Sequence, residues 1–288
     1  MSLIAKILYP VNFSPSCVAM APYVKRAAAL LGATVSLAHV VDRAAHSGFE
    51  LYVRSLSEIS EEGMRIGRAR LDSFLAAEFP VETCPRILAS GDAATQIAQV
   101  ARDIQADLII MPTHAGLFRQ MLLGSTTAKV LNDADCPVLT SRHALEIAPR
   151  PLEHREWVCA VGLSSNSERV LRFAVQAAAQ ARGKLSIVFA VQSGDPDLPV
   201  HLDLREQIHA AEIREAERRI DELKRKVGAD ATVRIAVGTV KEALLEAIGN
   251  ADADALLIGR SPRSGARGRL RDLTYAVVRD SPFPVLSI

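Results

Sequence analysis

Ile7-Leu8-Tyr9-Pro10-Val11-Asn12-Phe13-Ser14 and Trp157-Val158-Cys159-Ala160-Val161-Gly162-Leu163-Ser164 lie 150 positions apart in a chain of 288 residues. Each reads as a short apolar strand that runs into a turn and then a helix. At the same offset, Thr34-Val35-Ser36-Leu37-Ala38-His39-Val40-Val41 falls on Lys184-Leu185-Ser186-Ile187-Val188-Phe189-Ala190-Val191 without a gap. The later part of each copy aligns at an offset of 147: Gly91 meets Gly238, Ala106-Asp107 meets Ala253-Asp254, and Thr127 meets Thr274. Asp133 then meets Asp280, and Pro137-Val138-Leu139 meets Pro284-Val285-Leu286. Matching turn residues and strands over most of each half make this an internal duplication.

Within the first copy, strands are expected near 4–11, 34–41, 84–90, 107–112 and 136–140. Helices are expected near 16–31, 50–79, 93–104 and 122–134. Runs such as Asp107-Leu108-Ile109-Ile110-Met111 are apolar without alternation, as strands covered on both faces must be. Strand–helix alternation then predicts an α/β fold with a parallel sheet and right-handed crossovers. The segment Ser141–Glu156, with Pro149 and Pro151 flanking Arg150, keeps neither period and reads as a linker. The expected division is residues 1–142, a linker over 143–155, and residues 156–288.

Composition limits the function classes. Thirty-four Lys and Arg against 33 Asp and Glu leave a net charge of +1, so no global field attracts nucleic acid or a membrane surface. The N-terminus lacks the long apolar region of a secretory signal, and no apolar run approaches the ~20 residues that span a bilayer. Cys17, Cys84, Cys136 and Cys159 are scattered with no CxxC pair. They read as reduced, mostly buried thiols, which places the chain in the cytoplasm. On the long second-copy helix, Ile213, Ala216, Ile220, Leu223 and Val227 keep one face apolar, and the charged remainder reads as solvated surface.

Ligands of an open parallel sheet sit beyond the carboxyl ends of its strands, at the switch point. After the fourth strand, Gly124-Ser125-Thr126-Thr127 opens a helix. Backbone N–H groups and hydroxyls at such an end make an anion cradle, and a plain Ser or Thr N-cap is the competing reading. No GxSxG elbow, HExxH pair or GxxxxGK[ST] loop is present, and no two histidines have metal-ligand spacing. No catalytic residue and no metal site is assigned, and a dedicated enzyme is not supported. His39, at the end of the second strand, reads as a structural histidine.

Thr113-His114, then Leu122-Leu123-Gly124-Ser125, Lys129-Val130-Leu131 and Cys136-Pro137-Val138-Leu139 resemble the carboxy-terminal signature of the universal stress protein family. The opening Ile7–Ser14 strand-turn and Gly91-Asp92 share the resemblance, which covers essentially the whole chain, twice. It implies two tandem Rossmann-like domains, each a five-stranded parallel sheet with helices on both faces. It also implies domains that pair through their fifth strands, here within one chain. A homodimer and an unidentified protein partner are further expectations; a membrane or nucleic-acid partner is not expected.

Some members of that family bind ATP, with Mg²⁺, through a loop of the form Gly-x-x-Gly-x9-Gly-Ser/Thr and an Asp at the end of the first strand. Carried over, the resemblance implies a site in the first copy at Val11, Asn12, Val41, Met111, Pro112, Thr113, His114, Ala115, Gly124, Ser125 and Thr126. Departures are evident. The Asp position holds Asn12 and Gly162, and the first two loop glycines become Pro112 and Ala115 unless Gly116 serves as the second. In the second copy Gly259 is kept, but Pro262 and Arg271-Asp272 stand where the second glycine and the Gly-Ser pair belong. Asp272 would repel a phosphate. Arg260, Arg263, Arg267, Arg269 and Arg271 fill the same loop, either as an altered anion site or as a solvated segment. Three functions are thus in view: a nucleotide-responsive stress or signalling protein, a nucleotide-independent scaffold, and a slow ATP hydrolase.

Overall fold

The computed structural model describes residues 2–42, 56–113, 123–141, 156–162, 164–191, 202–251, 253–260 and 272–288. The proposed linker falls almost wholly outside them. The first half runs β1 (Lys6–Pro10), α1 (Pro15–Leu31), β2 (Thr34–Val41), α2 (Leu56–Ser73) and β3 (Arg86–Ser90). It continues through α3 (Ala93–Asp103), β4 (Leu108–Pro112), α4 (Ser125–Asp133) and β5 (Val138–Ser141). The second half repeats the series: β6 (Glu156–Ala160), α5 (Ser167–Gln180), β7 (Lys184–Val191), α6 (Leu202–Val227) and β8 (Thr232–Val237). It closes with α7 (Val240–Asn250), β9 (Ala255–Ile258), α8 (Asp272–Asp280) and β10 (Val285–Ser287).

Local signals account for the element boundaries. Helix α1 has Pro15 in its first turn, where a missing N–H costs nothing, and ends at Gly32, whose φ of 64° is the left-handed cap glycine tolerates. Asp92 and Thr239 cap α3 and α7, each accepting a hydrogen bond from a backbone N–H three residues on. Gly91 and Gly238, paired by the duplication, both hold positive φ, at 137° and 143°. The expected helix over 50–79 is shorter: α2 stops at Ser73, and Leu75 at φ 51° turns the chain out of the helix. An apolar pattern that continues past a helix end explains the overrun, because Phe74, Leu75 and Phe79 still pack against the core.

The ten strands form one sheet in the order β3-β2-β1-β4-β5-β10-β9-β6-β7-β8. Every neighbouring pair is parallel except β5 with β10, which run antiparallel with Leu139 opposite Leu286. Each half is therefore a 3-2-1-4-5 sheet, and the halves join edge to edge through their fifth strands. Helices α1, α2, α5 and α6 cover one face, and α3, α4, α7 and α8 cover the other. Odd and even strand residues feed opposite cores: Ile7 and Tyr9 on one side of β1, Leu8 on the other. Each core runs without interruption from one half into the other. Gln180 adds a polar tie, accepting from the Ile4 N–H at 3.0 Å and donating to Ile4 O and Leu31 O at 2.8 and 2.7 Å.

All four cysteines are free thiols, and three are buried. Burial raises their pKa, that of Cys159 to about 12 and that of Cys136 to about 11. Among the described residues no helix is long and apolar enough to cross a membrane, and no cluster of metal-ligating side chains occurs.

Candidate functional site

The order 3-2-1-4-5 puts the switch point of the first half between β1 and β4, where crossovers leave in opposite directions. Val11 follows β1, buried, with its N–H on Ala38 O at 2.8 Å. Its carbonyl accepts a hydrogen bond from His39 Nδ1 at 2.9 Å, which fixes the proton on that nitrogen because a carbonyl only accepts. His39 is a structural histidine here. Burial lowers its pKa, as does the Arg70 cation, while the Val11 bond works in the other direction. The Phe13 ring lies 4.2 Å from His39 and 5.2 Å from Phe74, with the Arg70 guanidinium 4.4 Å above it.

Asn12 is exposed beside this cluster, but its oxygen turns back to accept from Ser14 N–H at 3.1 Å and from the Cys17 thiol at 3.2 Å. Only its carboxamide nitrogen is left for a ligand. Val41 ends β2 with its carbonyl on Gly91 N–H at 3.0 Å. Its methyl groups rest on α2 at Gly63 and Gly67, where an added Cβ would come within 3.4 and 2.9 Å. Those glycines, four apart and so on one helix face, let α2 sit directly on the end of β2.

At β4, Met111 is buried and Pro112 O accepts from Thr127 Oγ1 at 3.2 Å. Thr113 is buried, and its N–H and hydroxyl both donate to Ser141 O, at 3.1 and 3.3 Å. Its own carbonyl accepts from Gly124 N–H at 3.0 Å, which closes the base of the intervening loop. A Cβ at Gly124 would stand 2.9 Å from that carbonyl, so only glycine fits. Helix α4 begins at Ser125 with no side-chain cap, Ser125 exposed and Thr126 partly so. The first-turn N–H groups there have no acceptor within the helix. Pro112, Thr113, Gly124, Ser125 and Thr126 thus form one corner, with Val11 and Asn12 across the switch point. Val41 is committed to α2, and His114 and Ala115 lie outside the described residues.

The second half has its own switch point, between β6 and β9. A cavity of about 990 Å³ opens at the ends of β6, β7 and β9, against α6. Leu71 and Ile220, each 0% exposed among the described side chains of α2 and α6, set the correspondence of the two helices. Gly67 then matches Ala216 and Gly63 matches Glu212, and both second-half residues line the cavity. Val191 and Phe189, which replace Val41 and His39, line it too. Gly162 stands in place of Asn12, and a Cβ added there would meet nothing within 4 Å.

Arg260 is not the solvated loop residue the sequence suggests. It is 3% exposed, and its guanidinium crosses into the first half. Nη1 donates to Leu131 O and Ala134 O at 2.7 and 3.1 Å, and Nη2 to Cys136 O at 2.6 Å. These carbonyls close the C-terminal end of α4, where a cation is favoured. The other arginines of that loop, Arg263, Arg267, Arg269 and Arg271, lie outside the described residues. Sequence reading also missed the Gly63/Gly67 seat, although two glycines at helical spacing are a visible sign of close packing.

The profile of the Universal stress protein family matches residues 4–142 and 155–288. Among solved structures, a universal stress protein from Archaeoglobus fulgidus is 21% identical with a TM-score of 0.64, covering 98% of this chain and 95% of its own. A structure described as a putative universal stress protein from Pseudomonas aeruginosa is 18% identical with a TM-score of 0.63, covering 99% and 93%. At these identities both support the fold alone. A universal stress protein from Methanothermobacter thermautotrophicus is 30% identical over 83 residues, 29% of this chain. The match spans 57% of that relative's length.

Proposed function

The chain belongs to the universal stress protein family, and on that premise we propose that it acts in the cytoplasmic stress response or in signalling by binding an adenine nucleotide, with Mg²⁺, in its first domain. The observation that carries this reading is the uncapped start of α4 at the switch point, with Gly124 pressed against Thr113 O and Ser125 exposed. The chain's own residues fit a polyphosphate in that corner. The N–H groups of Ser125 and Thr126 point along the helix axis, their hydroxyls stand beside them, and the helix end is positive. Thr127 anchors the turn to Pro112 O, so the donors are held before any ligand arrives. The base would lie toward Val11 and Asn12, where one carboxamide nitrogen remains to donate.

A second reading, a nucleotide-independent scaffold, draws on the space α2 takes at Val41 and on the Asn12 oxygen already used within its own turn. Calorimetric titration of the full chain with MgATP separates the two. Saturable binding is expected, and Ser125→Pro should weaken it by about tenfold. That substitution removes one N–H at the first helical position, which proline tolerates, and Gly124 at φ −58°, ψ 139° already suits a following proline. Absence of binding at millimolar MgATP would leave the scaffold reading standing.

A further inference from the structure

Helices α4 and α8 are equivalents in the two halves, nine residues each, and they end on equivalent turns. Ala134 matches Ser281 and Cys136 matches Phe283. Ala134 N–H donates to Val130 O and Ser281 N–H to Val277 O, both at 2.9 Å, so the backbone takes the same course. The side chains differ. Ser281 Oγ donates to Phe283 O at 2.9 Å and accepts from Phe283 N–H at 3.2 Å, which closes the turn after α8 from within. Ala134 has no hydroxyl to do this, although both positions are fully buried. In the first half the donor to the matching carbonyl, Cys136 O, is Arg260 of the second domain, which also holds Leu131 O and Ala134 O.

A helix of this length does not persist by itself in water, where about 12–15 residues are needed, so α4 depends on its packing and on what holds its ends. Its start is fixed by Gly124 N–H on Thr113 O and by Thr127 Oγ1 on Pro112 O. Its far end, about 13 Å away at the ordinary helical rise, is gripped by the Arg260 fork. Arg260 is itself anchored in the second domain: its N–H donates to Ile288 O at 2.7 Å, and its carbonyl accepts from Asn166 Nδ2 at 2.9 Å. A cation against the last carbonyls also reinforces the helix dipole, whose positive end lies at Ser125. Thr113, at the position equivalent to Arg260, donates its hydroxyl to Ser141 O within its own half. The support that Arg260 gives therefore runs from the second domain to the first.

We propose that Arg260 is a positioning residue for the phosphate corner: the second domain completes α4 through this side chain and so holds the Ser125 turn in place. The proposal deepens the nucleotide reading and rests on it only for the second of two measurements. The first is hydrogen exchange by mass spectrometry on the full chain. In Arg260→Met the amides of α4 should exchange at least about tenfold faster, while those of α8 change less. Adding Ala134→Ser, which gives the turn the hydroxyl that Ser281 supplies in the other half, should restore most of the protection. Unchanged exchange in α4, an equal rise in α4 and α8, or no recovery with Ala134→Ser would each overturn the proposal. The second measurement is calorimetric titration with MgATP, in which Arg260→Met should bind about fivefold more weakly and the double variant close to the parent chain. If the parent chain binds and Arg260→Met binds equally well, the link from Arg260 to the corner is overturned. If the parent chain does not bind, the nucleotide reading falls, and exchange alone decides whether Arg260 positions α4. Should Arg260→Met not fold, Arg260→Lys, which keeps the buried stem without the planar fork, is judged by the same criteria.

Discussion

His39 shows how one side chain couples the candidate site to solution conditions. Its ring is held neutral by burial and by the nearby Arg70, with its pKa below the ordinary value of about 6.5. The unfolded chain binds the proton more readily than the folded one, so the ring's stabilising contribution is present above pH 6.5 and is lost as pH falls below that value. The second domain uses Phe189 at the equivalent place. His39→Phe is therefore expected to flatten the fall in melting temperature between pH 6.5 and 5, measured by circular dichroism. Acid loss below about pH 4 should persist, because carboxylates such as Asp92, held at about 2 by its bonds to Thr95 and Lys129, are untouched. The neutral role of His39 was readable from its place at a strand end in an apolar stretch. Its bond to Val11 was not, since no local pattern links residues 28 apart.

Helix α2 and helix α6 occupy equivalent places, but α2 meets the end of β2 with Gly63 and Gly67 where the matching residues of α6 are Glu212 and Ala216. Alanine normally improves a helix over glycine by up to about 1 kcal/mol. At Gly67 the gain is outweighed, because the new methyl would stand 2.9 Å from Val41 Cγ2 and 3.2 Å from Leu88 Cδ1, and valine is stiff at χ1. Gly67→Ala should cost about 1 kcal/mol in denaturant unfolding, and Val41→Ala in the same chain should recover most of it. Additive losses in that double-mutant cycle would show that the two residues do not touch. The elements themselves were legible because strands and helices carry different apolar periods. Their seating was not: it depends on which helix residue faces which strand residue, and the sequence aligns the copies without showing the gap between them. That is why the Gly124-Ser125 turn at the start of α4, a local motif, was legible, whereas the packing of α2 on Val41, a tertiary product, was not.

At the scale of the molecule, the halves are joined by strand pairing between β5 and β10, by two continuous cores, and by Arg260 reaching into the other domain. Thr113 occupies the equivalent position in the first half, so this strut exists on one side of the pseudo-twofold only. Removing a buried guanidinium leaves the carbonyls of Leu131, Ala134 and Cys136 without that donor. Arg260→Met should cost about 3 kcal/mol in chemical denaturation. Arg260→Lys should rescue little, since an ammonium cannot reproduce the planar fork that spans three acceptors. A variant as stable as the parent chain would remove Arg260 from the interface account. The pairing of the halves followed from the family resemblance. The arginine strut did not, because a run of arginines in a polar loop looks like solvated surface until one of them is seen to turn inward.

The join between β5 and β10 also bears on how the molecule is made. Strand β5 is complete at residue 141, whereas its partner begins at residue 285. At ordinary ribosomal speeds the intervening chain takes on the order of ten seconds to emerge. Through that interval the first domain can be fully folded while one long side of its sheet carries unanswered N–H and C=O groups, with Leu139 bare beside them. Two nascent chains on one messenger would meet at these surfaces first, so the duplication that lets the protein close on itself also sets a window in which it can close on its neighbour.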